Sequence, residues 1–593
     1  MNKIKISSYL LRLTLVCFGL ALSFHTNTLA EEAPKIRNVI IQIRDIFDDP
    51  GVELIYRKVN DIKISTREKI VRRELLFKAG DGYDQFLIDE SIRALRSLSF
   101  LREVHINTTP VDNPIGPEKS SGKGTEKLVD IVVSVQDTWT LYPTLGFSSG
   151  GGSSKTQIGL LEGNLLGMGK RLEFQYAEDE RRKSFAGFYD DPRLFGTKRE
   201  LELGYTNRSD GYRGLFHLAD PFRTLVNKNA WTIDSDISDL VGKLYSAGNE
   251  RFIFRNKHTE FGGKYVISKG DPEVELHRFS FGYQYEQDDF TQADAADFED
   301  VTVDPDSVIK DPSLLADDRK YSGPIFGYTQ VRPDYLAINY IDRFERVEDF
   351  NLGRVLGAQI QFAPEFLDST ESALIPILNY AQGLRFSASS FVRGELGLST
   401  RIDADGLANS YIRNQLRFYD YLGPKNLFGY YVGRHTLAAG LNLEYGSDFD
   451  RDRELYLGAE NGLRGYEDKT FYGDKRLIIN LEERAHLVED LFRLINIGTV
   501  AFIDAGGVTD ENFFSLVGDN FYGNVGVGLR VGFPRSTGGS IVRIDLAFPW
   551  RDGPDDSNAW EPRVFVSTGQ TFKSLLDSEI FGAPHANLIE HDR

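Results

Sequence analysis

The chain has 593 residues, 56 of them glycine and 12% aromatic, and its 69 Lys and Arg against 88 Asp and Glu give a formal net charge of −19. That acidity leaves no basic stripe to neutralise phosphates, which argues against nucleic acid as a partner. The one cysteine, Cys17, lies in an apolar leader, so the mature chain has no disulfide framework, no thiolate metal site and no cysteine nucleophile.

Residues 1–30 read as a secretory signal peptide. Lys3, Lys5 and Arg12 precede an apolar stretch over residues 13–24, and Thr28-Leu29-Ala30 supplies a small-residue cleavage site. Beyond Ala30 no apolar run reaches the roughly 20 residues of a membrane helix. An exported chain rich in period-two segments is either a transmembrane β-barrel or a large secreted β protein. The mean hydropathy of −0.32 and the abundant aromatics favour the barrel, in which alternate residues face lipid and aromatics gather in interfacial girdles.

Residues 31–137 predict a small α+β domain. Residues 37–43 alternate as a strand; Ser65, with Glu68 completing a capping box, opens a helix through Ile70, Val71 and Leu75. A second helix starts near Asp84 and carries Phe86, Leu87, Ile88, Ile92, Leu95 and Leu98 at helical spacing. Strands follow at 104–106 and 128–135, joined by a Pro- and Gly-rich hairpin loop over 109–126.

From 138 to 572 the chain becomes a series of alternating segments, among them 144–148, 157–161, 171–177, 185–189, 200–205, 213–218, 277–285 and 355–362. Segments 384–392, 437–445, 477–484, 500–504, 525–531, 542–548 and 564–572 continue the series. Residues 231–267 and 321–350 divide ambiguously. An all-β transmembrane barrel of about 16 antiparallel strands is expected, closed because an open sheet in lipid leaves edge groups unpaired. Asp191-Pro192 and Asp220-Pro221 stop strands, since proline cannot donate to a ladder. The acidic stretch 286–320 lacks an Asp-x-Asp-x-Asp-Gly loop and reads as solvated loop, not a calcium site. Residues 573–593 form a C-terminal tail.

Catalytic motifs fail one by one. Gly146-Phe147-Ser148-Ser149-Gly150 spells a nucleophile elbow without strand–turn–helix context. Gly167-Met168-Gly169-Lys170 lacks the spacing and Ser/Thr of a phosphate loop. The histidines show no paired metal-ligand spacing. No enzyme activity, cofactor, nucleotide or metal is expected.

The remaining motifs resemble one family. The order of elements in 31–137, Phe77-x-x-Gly80-Asp81 and Leu95-x-x-Leu98-x-Phe100-x-x-Val104 resemble a POTRA domain, the periplasmic module of outer-membrane assembly and secretion proteins. Asn164-Leu165-Leu166-Gly167-Met168-Gly169 resembles the turn after the second barrel strand in the BamA/TamA-type superfamily, whose barrel is also called a bacterial surface antigen domain. Leu463-Arg464-Gly465-Tyr466 resembles the tip of that superfamily's sixth extracellular loop, and the segments around Glu482 and Asp504 resemble the two strands that follow it. The last strand, with Phe565, Gly569 and a terminal Phe572, completes the order.

Strand parity places Glu482 with Asn480 and Arg484, opposite Ile479 and Leu481, and Asp504 with Phe502, opposite Ile503. With the apolar set facing lipid, both carboxylates face the lumen. The fork of Arg464 can then bridge them and pin the loop inside the barrel, with Gly465 suiting a tight tip.

The resemblance implies a single-POTRA barrel of the outer membrane that inserts or translocates unfolded outer-membrane or secreted polypeptides. The POTRA domain would lie in the periplasm, and the barrel seam would pair with client strands. Outer-membrane lipid and accessory lipoproteins are the further partners it implies. A dedicated two-partner-type secretion pore and a passive outer-membrane channel stay open as alternatives.

Overall fold

The computed structural model describes residues 33–48, 54–111, 127–150, 153–179, 182–247, 249–293, 312–537, 541–555 and 557–568. The leader, the loop over 112–126, Gly569, Phe572 and the tail lie outside the described residues. Among those described, no helix is long and apolar enough to cross a membrane.

Residues 35–137 build a mixed three-stranded sheet. Strand β1 (Lys35–Arg44) runs parallel to the central β3 (Leu128–Asp137), and β2 (Leu101–Val111) is antiparallel on its other side. Helices α1 (Leu54–Ile62), α2 (Glu68–Glu74) and α3 (Gln85–Arg96) complete the unit. Val71 and Leu95 from the helices pack on Leu101, Ile131, Val133 and Val135 from the sheet, all fully buried. Asp84 caps α3 by accepting from the Phe86 and Leu87 N–H groups.

Two expectations for this unit need correction. The capping box on Ser65 does not form: α2 starts behind Arg67, which makes no side-chain cap. The Arg67 N–H instead donates to the Gly167 carbonyl at 3.0 Å, so a turn of the neighbouring sheet does what a side chain was expected to do. Helix α1 was not anticipated. It has nine residues, and although Leu54 and Ile62 are exposed, one face turns inward. Its Tyr56 and Val59 pack on Ile46 and Phe47.

Leu95 is the natural probe of the unit's stability. Leu95→Ala should cost about 2–5 kcal/mol, a large share of the roughly 5–15 kcal/mol that holds a domain together. Hydrogen exchange of the β3 amides in the intact protein reads the loss; exchange slowed to the same extent as in wild type would contradict it.

Among the described residues the larger sheet holds twenty strands in one circular order, from Leu141–Gly150 round to Arg563–Thr568, which lies beside Leu141–Gly150. Every neighbouring pair with a described register is antiparallel. The expected number, about 16, was too low, and the reasons are local. Residues 231–267 are one long hairpin, Asn229–Ser246 with Asn249–Asp271; near its tip Val241, Leu244, Tyr245, Phe252, Ile253 and Phe254 are all buried, which erases the alternation. Segment 384–392 is not a strand but the turn between Ala373–Arg385 and Ser390–Asp403. Ser387 makes that turn by accepting from the Ser389 N–H, without Gly or Pro to announce it. In Gly406–Leu427, Asn414 shares the outward face with Ile412 and Leu416, so the segment lost its apolar rhythm.

The sheet is inside out relative to a water-soluble one. Ile158, Leu160, Phe174, Phe216, Phe261, Phe281, Phe326, Leu481, Ile503 and Val527 are exposed, whereas Glu173, Gln175, His217, Arg278, Glu395, Arg417, Glu444 and Glu482 are buried. The acidic stretch shares this inversion. Strand Glu275–Gln292 runs through its start, and Asp288 is buried between His258 and Arg319 and is not solvated.

Candidate functional site: a charged latch in the barrel interior

Four strands carry the site: Lys475–Leu491, Ile495–Thr509, Tyr522–Gly532 and Ile541–Pro549. In the first, Asn480, Glu482 and Arg484 are buried while Ile479 and Leu481 are exposed; in the second, Phe502 and Asp504 are buried and Ile503 exposed. Period-two geometry alone thus lines one patch of the interior with charge.

The connection from Tyr430–Ser447 to Lys475–Leu491 folds into that interior. A short ladder, Leu455–Leu457 with Phe471–Gly473, holds its base together, and Leu463 and Tyr466 are 0% exposed. Arg464 projects between them. Its Nε and Nη2 donate to the two oxygens of Asp504 at 2.8 Å each, while Nη1 lies 3.0 Å from Glu482 and 3.1 Å from Asp545. The guanidinium also stacks 3.5 Å over the Phe502 ring centroid. A lone buried guanidinium would be prohibitive, but a planar fork engaging carboxylates on three strands recovers much of its lost hydration.

The structure therefore brings Arg464, Glu482 and Asp504 together and adds partners the sequence reading missed. Asp504 also accepts from Asn480 (2.8 Å) and Asn524 (2.9 Å). Asp545 also pairs with Arg530 and Arg543, and Glu482 accepts from Arg484 at 2.9 Å. The signal for Asp545 was present: Arg543 and Asp545 alternate with Val542, Ile544 and Leu546, the parity already applied to Glu482. Gly465 is needed for close approach and not for a tight tip. Its N–H donates to Asn524 Oδ1 at 3.1 Å, and a Cβ there would lie 2.8 Å from the Asn524 Cβ. The Tyr466 hydroxyl donates to the Gly523 and Arg551 carbonyls, fixing the tip to the start of Tyr522–Gly532 and to the connection after Ile541–Pro549.

The turn motif lies at the opposite end, against the N-terminal unit. Asn164 accepts from the Gly169 N–H at 2.6 Å and donates to Thr66 Oγ1 at 2.8 Å. Leu166, Gly167 and Gly169 have φ of 57°, 68° and 72°. The Leu166 carbonyl accepts from the Arg67 side chain, and Leu165 closes the turn by accepting from the Met168 N–H. Further connections tie down the same unit: Arg193 forks onto Glu74, the Leu225 N–H donates to Glu90, and Arg535 donates to the Ile46 carbonyl. Phe565 is buried in Arg563–Thr568, whereas Gly569 and Phe572 lie outside the described residues.

Glu200, Glu202 and His217, and His258, Glu286 and Asp288, offer ligand atoms close enough to share a cation. In the first His217 pairs with Asp234 and Glu200, and in the second Asp288 pairs with His258 and Arg319.

No family model matches the chain. A 164-residue stretch, 27% of the chain, is 26% identical to the outer membrane protein assembly factor BamA of Neorickettsia risticii (strain Illinois), and the match spans 20% of that protein's length. Among solved structures, CdiB from Acinetobacter baumannii aligns over 91% of this chain and 74% of its own, with 12% identity and a TM-score of 0.43. BamA from Haemophilus ducreyi lacking POTRA domains 1–3 aligns over 90% and 84%, with 14% identity and a TM-score of 0.35. Over the 164-residue stretch the chain is similar to an outer-membrane assembly factor, and its motifs from Asn164 to Phe565 run in the order of the BamA/TamA-type superfamily that they resemble.

Proposed function

We propose that this protein spans the outer membrane as a β-barrel and inserts or translocates other polypeptides there, with residues 31–137 as a single periplasmic POTRA domain. The observation that carries the reading is the inverted sheet, apolar outside and charged within, which is stable only where lipid replaces water on the outer surface. A ten-residue strand such as Leu141–Gly150, tilted by about 45°, rises about 24 Å, enough for the hydrocarbon band of such barrels.

Clients would meet the protein through backbone hydrogen bonds. Beyond Ile36, which pairs with Gly80 and Asp81, the outer edge of β1 would offer strand groups in the periplasm, and the junction of Arg563–Thr568 with Leu141–Gly150 would offer a seam where a client strand can add. Main-chain recognition suits a factor that handles many sequences, and client folding energy would supply the work. Accessory lipoproteins would dock on the periplasmic unit.

A photo-crosslinker at Val564, exposed beside the seam, should capture nascent barrel proteins in growing cells. A crosslinker at Phe326, on a strand remote from the seam, should not. Equal capture at both positions would contradict seam templating. The second reading, a pore for one dedicated secreted partner, is favoured by barrel size: at twenty strands the interior is wide enough for a channel unless it is plugged. Under that reading one exoprotein would dominate the crosslinks.

A further inference from the structure

Residues 332–354 connect strand Arg319–Val331 to Val355–Ala363, and at 23 positions they are far longer than the neighbouring turns at the same end. They do not loop away. They form a hairpin, Tyr335–Ile338 with Glu348–Asn351, that enters the barrel mouth and packs on its inner wall. Leu336, Ile338, Ile341 and Leu352 bury against Phe391, Tyr419 and Ala438. Tyr340 stacks on Tyr421, and Phe344 meets His486 edge-on.

The other side of the hairpin grips the N-terminal unit. Arg96 near the end of α3 pairs with Asp349 at 3.0 Å, and Arg102 pairs with Glu345 at 3.1 Å. The Arg346 guanidinium points at the Arg96, Leu98 and Ser99 carbonyls just past the helix, where the dipole favours a cation. Arg93 lies 4.5 Å over the Tyr335 ring. A two-stranded hairpin is marginal by itself, so its place is set by what it touches: the wall on one side and α3 on the other.

At its inner tip the hairpin meets the latch. Arg484 donates to the Ile341 carbonyl at 2.7 Å and to Asp342 at 3.2 Å, and the same side chain donates to Glu482, which holds Arg464. The loop entering from one end and the hairpin entering from the other are thus joined through the Arg484–Glu482 pair.

We propose that residues 332–354 are a gate for the lumen, held shut by α3 and coupled through Arg484 to the Arg464 latch. Displacement of the periplasmic unit by a bound client removes the α3 contacts and opens the interior. The gate rests on the reading of a membrane-spanning barrel but not on what the client is.

Ion conductance of the purified full-length protein in planar bilayers tests it without a client, so failure here is separable from failure of client crosslinking. Wild type should stay mostly closed. Arg96→Asp should raise the open probability about tenfold, equivalent to about 1.4 kcal/mol lost from the closed state. Arg96→Asp combined with Asp349→Arg should restore closure, an outcome that lost packing alone would not produce. Replacing residues 335–351 by a short Gly-Ser linker should give a large steady current in protein that still resists SDS as a folded barrel. A folded linker variant that conducts no more than wild type would overturn the gate, and a charge swap that fails to restore closure would overturn its dependence on α3.

Discussion

Arg464→Ala should leave the barrel folded while exposing residues 455–473 to proteases added from outside. The substitution removes the group that engages Asp504, Glu482 and Asp545 and leaves those carboxylates buried close together. Losing one partner of a buried pair costs about 3–5 kcal/mol, and nearby like charges add repulsion. The cost falls on the loop because it is the element free to leave: the strands keep their ladders, whereas the tip is otherwise held by Tyr466, Gly465 and the contact of Glu467 with Asp555. Arg464→Lys should recover only part of the protection, since one ammonium cannot match both oxygens of Asp504 and reach Asp545 as well. Cleavage over 455–473 that is as slow in Arg464→Ala as in wild type would contradict a latch.

Gly167→Ala should undock the N-terminal unit from the barrel. Its φ of 68° is in the left-handed region, where a side chain costs about 1–2 kcal/mol. The larger problem is space: a Cβ there would sit 2.2 Å from the Ser65 carbonyl oxygen, a backbone atom with no rotamer to escape into. The turn must retreat, which breaks the Arg67 N–H bond to Gly167 and strains the Asn164 contact with Thr66. Spin labels on α3 and on the barrel rim should report a broadened distance distribution. Gly82→Ala is the control, because nothing lies within 4 Å of a Cβ there. A sharp, wild-type distribution in Gly167→Ala would mean that the turn does not position the unit. If the gate is set by α3, the same variant should also conduct.

The latch was legible in the sequence because it obeys period two. Asn480, Glu482 and Arg484 share a face whichever way the rest of the barrel is drawn, so their convergence with Asp504 needed only the assumption that Ile479, Leu481 and Ile503 face lipid. Asp545 obeyed the same rule and was missed because no loop-tip partner pointed to it. The gate was not legible, since the reading equated apolar residues with the lipid side. Tyr335, Leu336, Ile338, Tyr340, Ile341 and Phe344 look like outer wall by composition, yet they fill the mouth from within. Strand number failed for a related reason: where a hairpin tip buries both faces, as at Phe252, Ile253 and Phe254, alternation carries no information. The α2 start at Arg67 depended on a turn a hundred positions away, which no local capping rule can see.

The most direct test of the central claim is depletion of this protein followed by quantitative proteomics of the outer membrane and the culture medium. The account predicts that barrel proteins fall in the outer membrane, or that one exoprotein falls in the medium if translocation serves a dedicated partner. Unchanged levels in both fractions, with the protein verifiably gone, would contradict a role in handling other polypeptides and favour a passive channel.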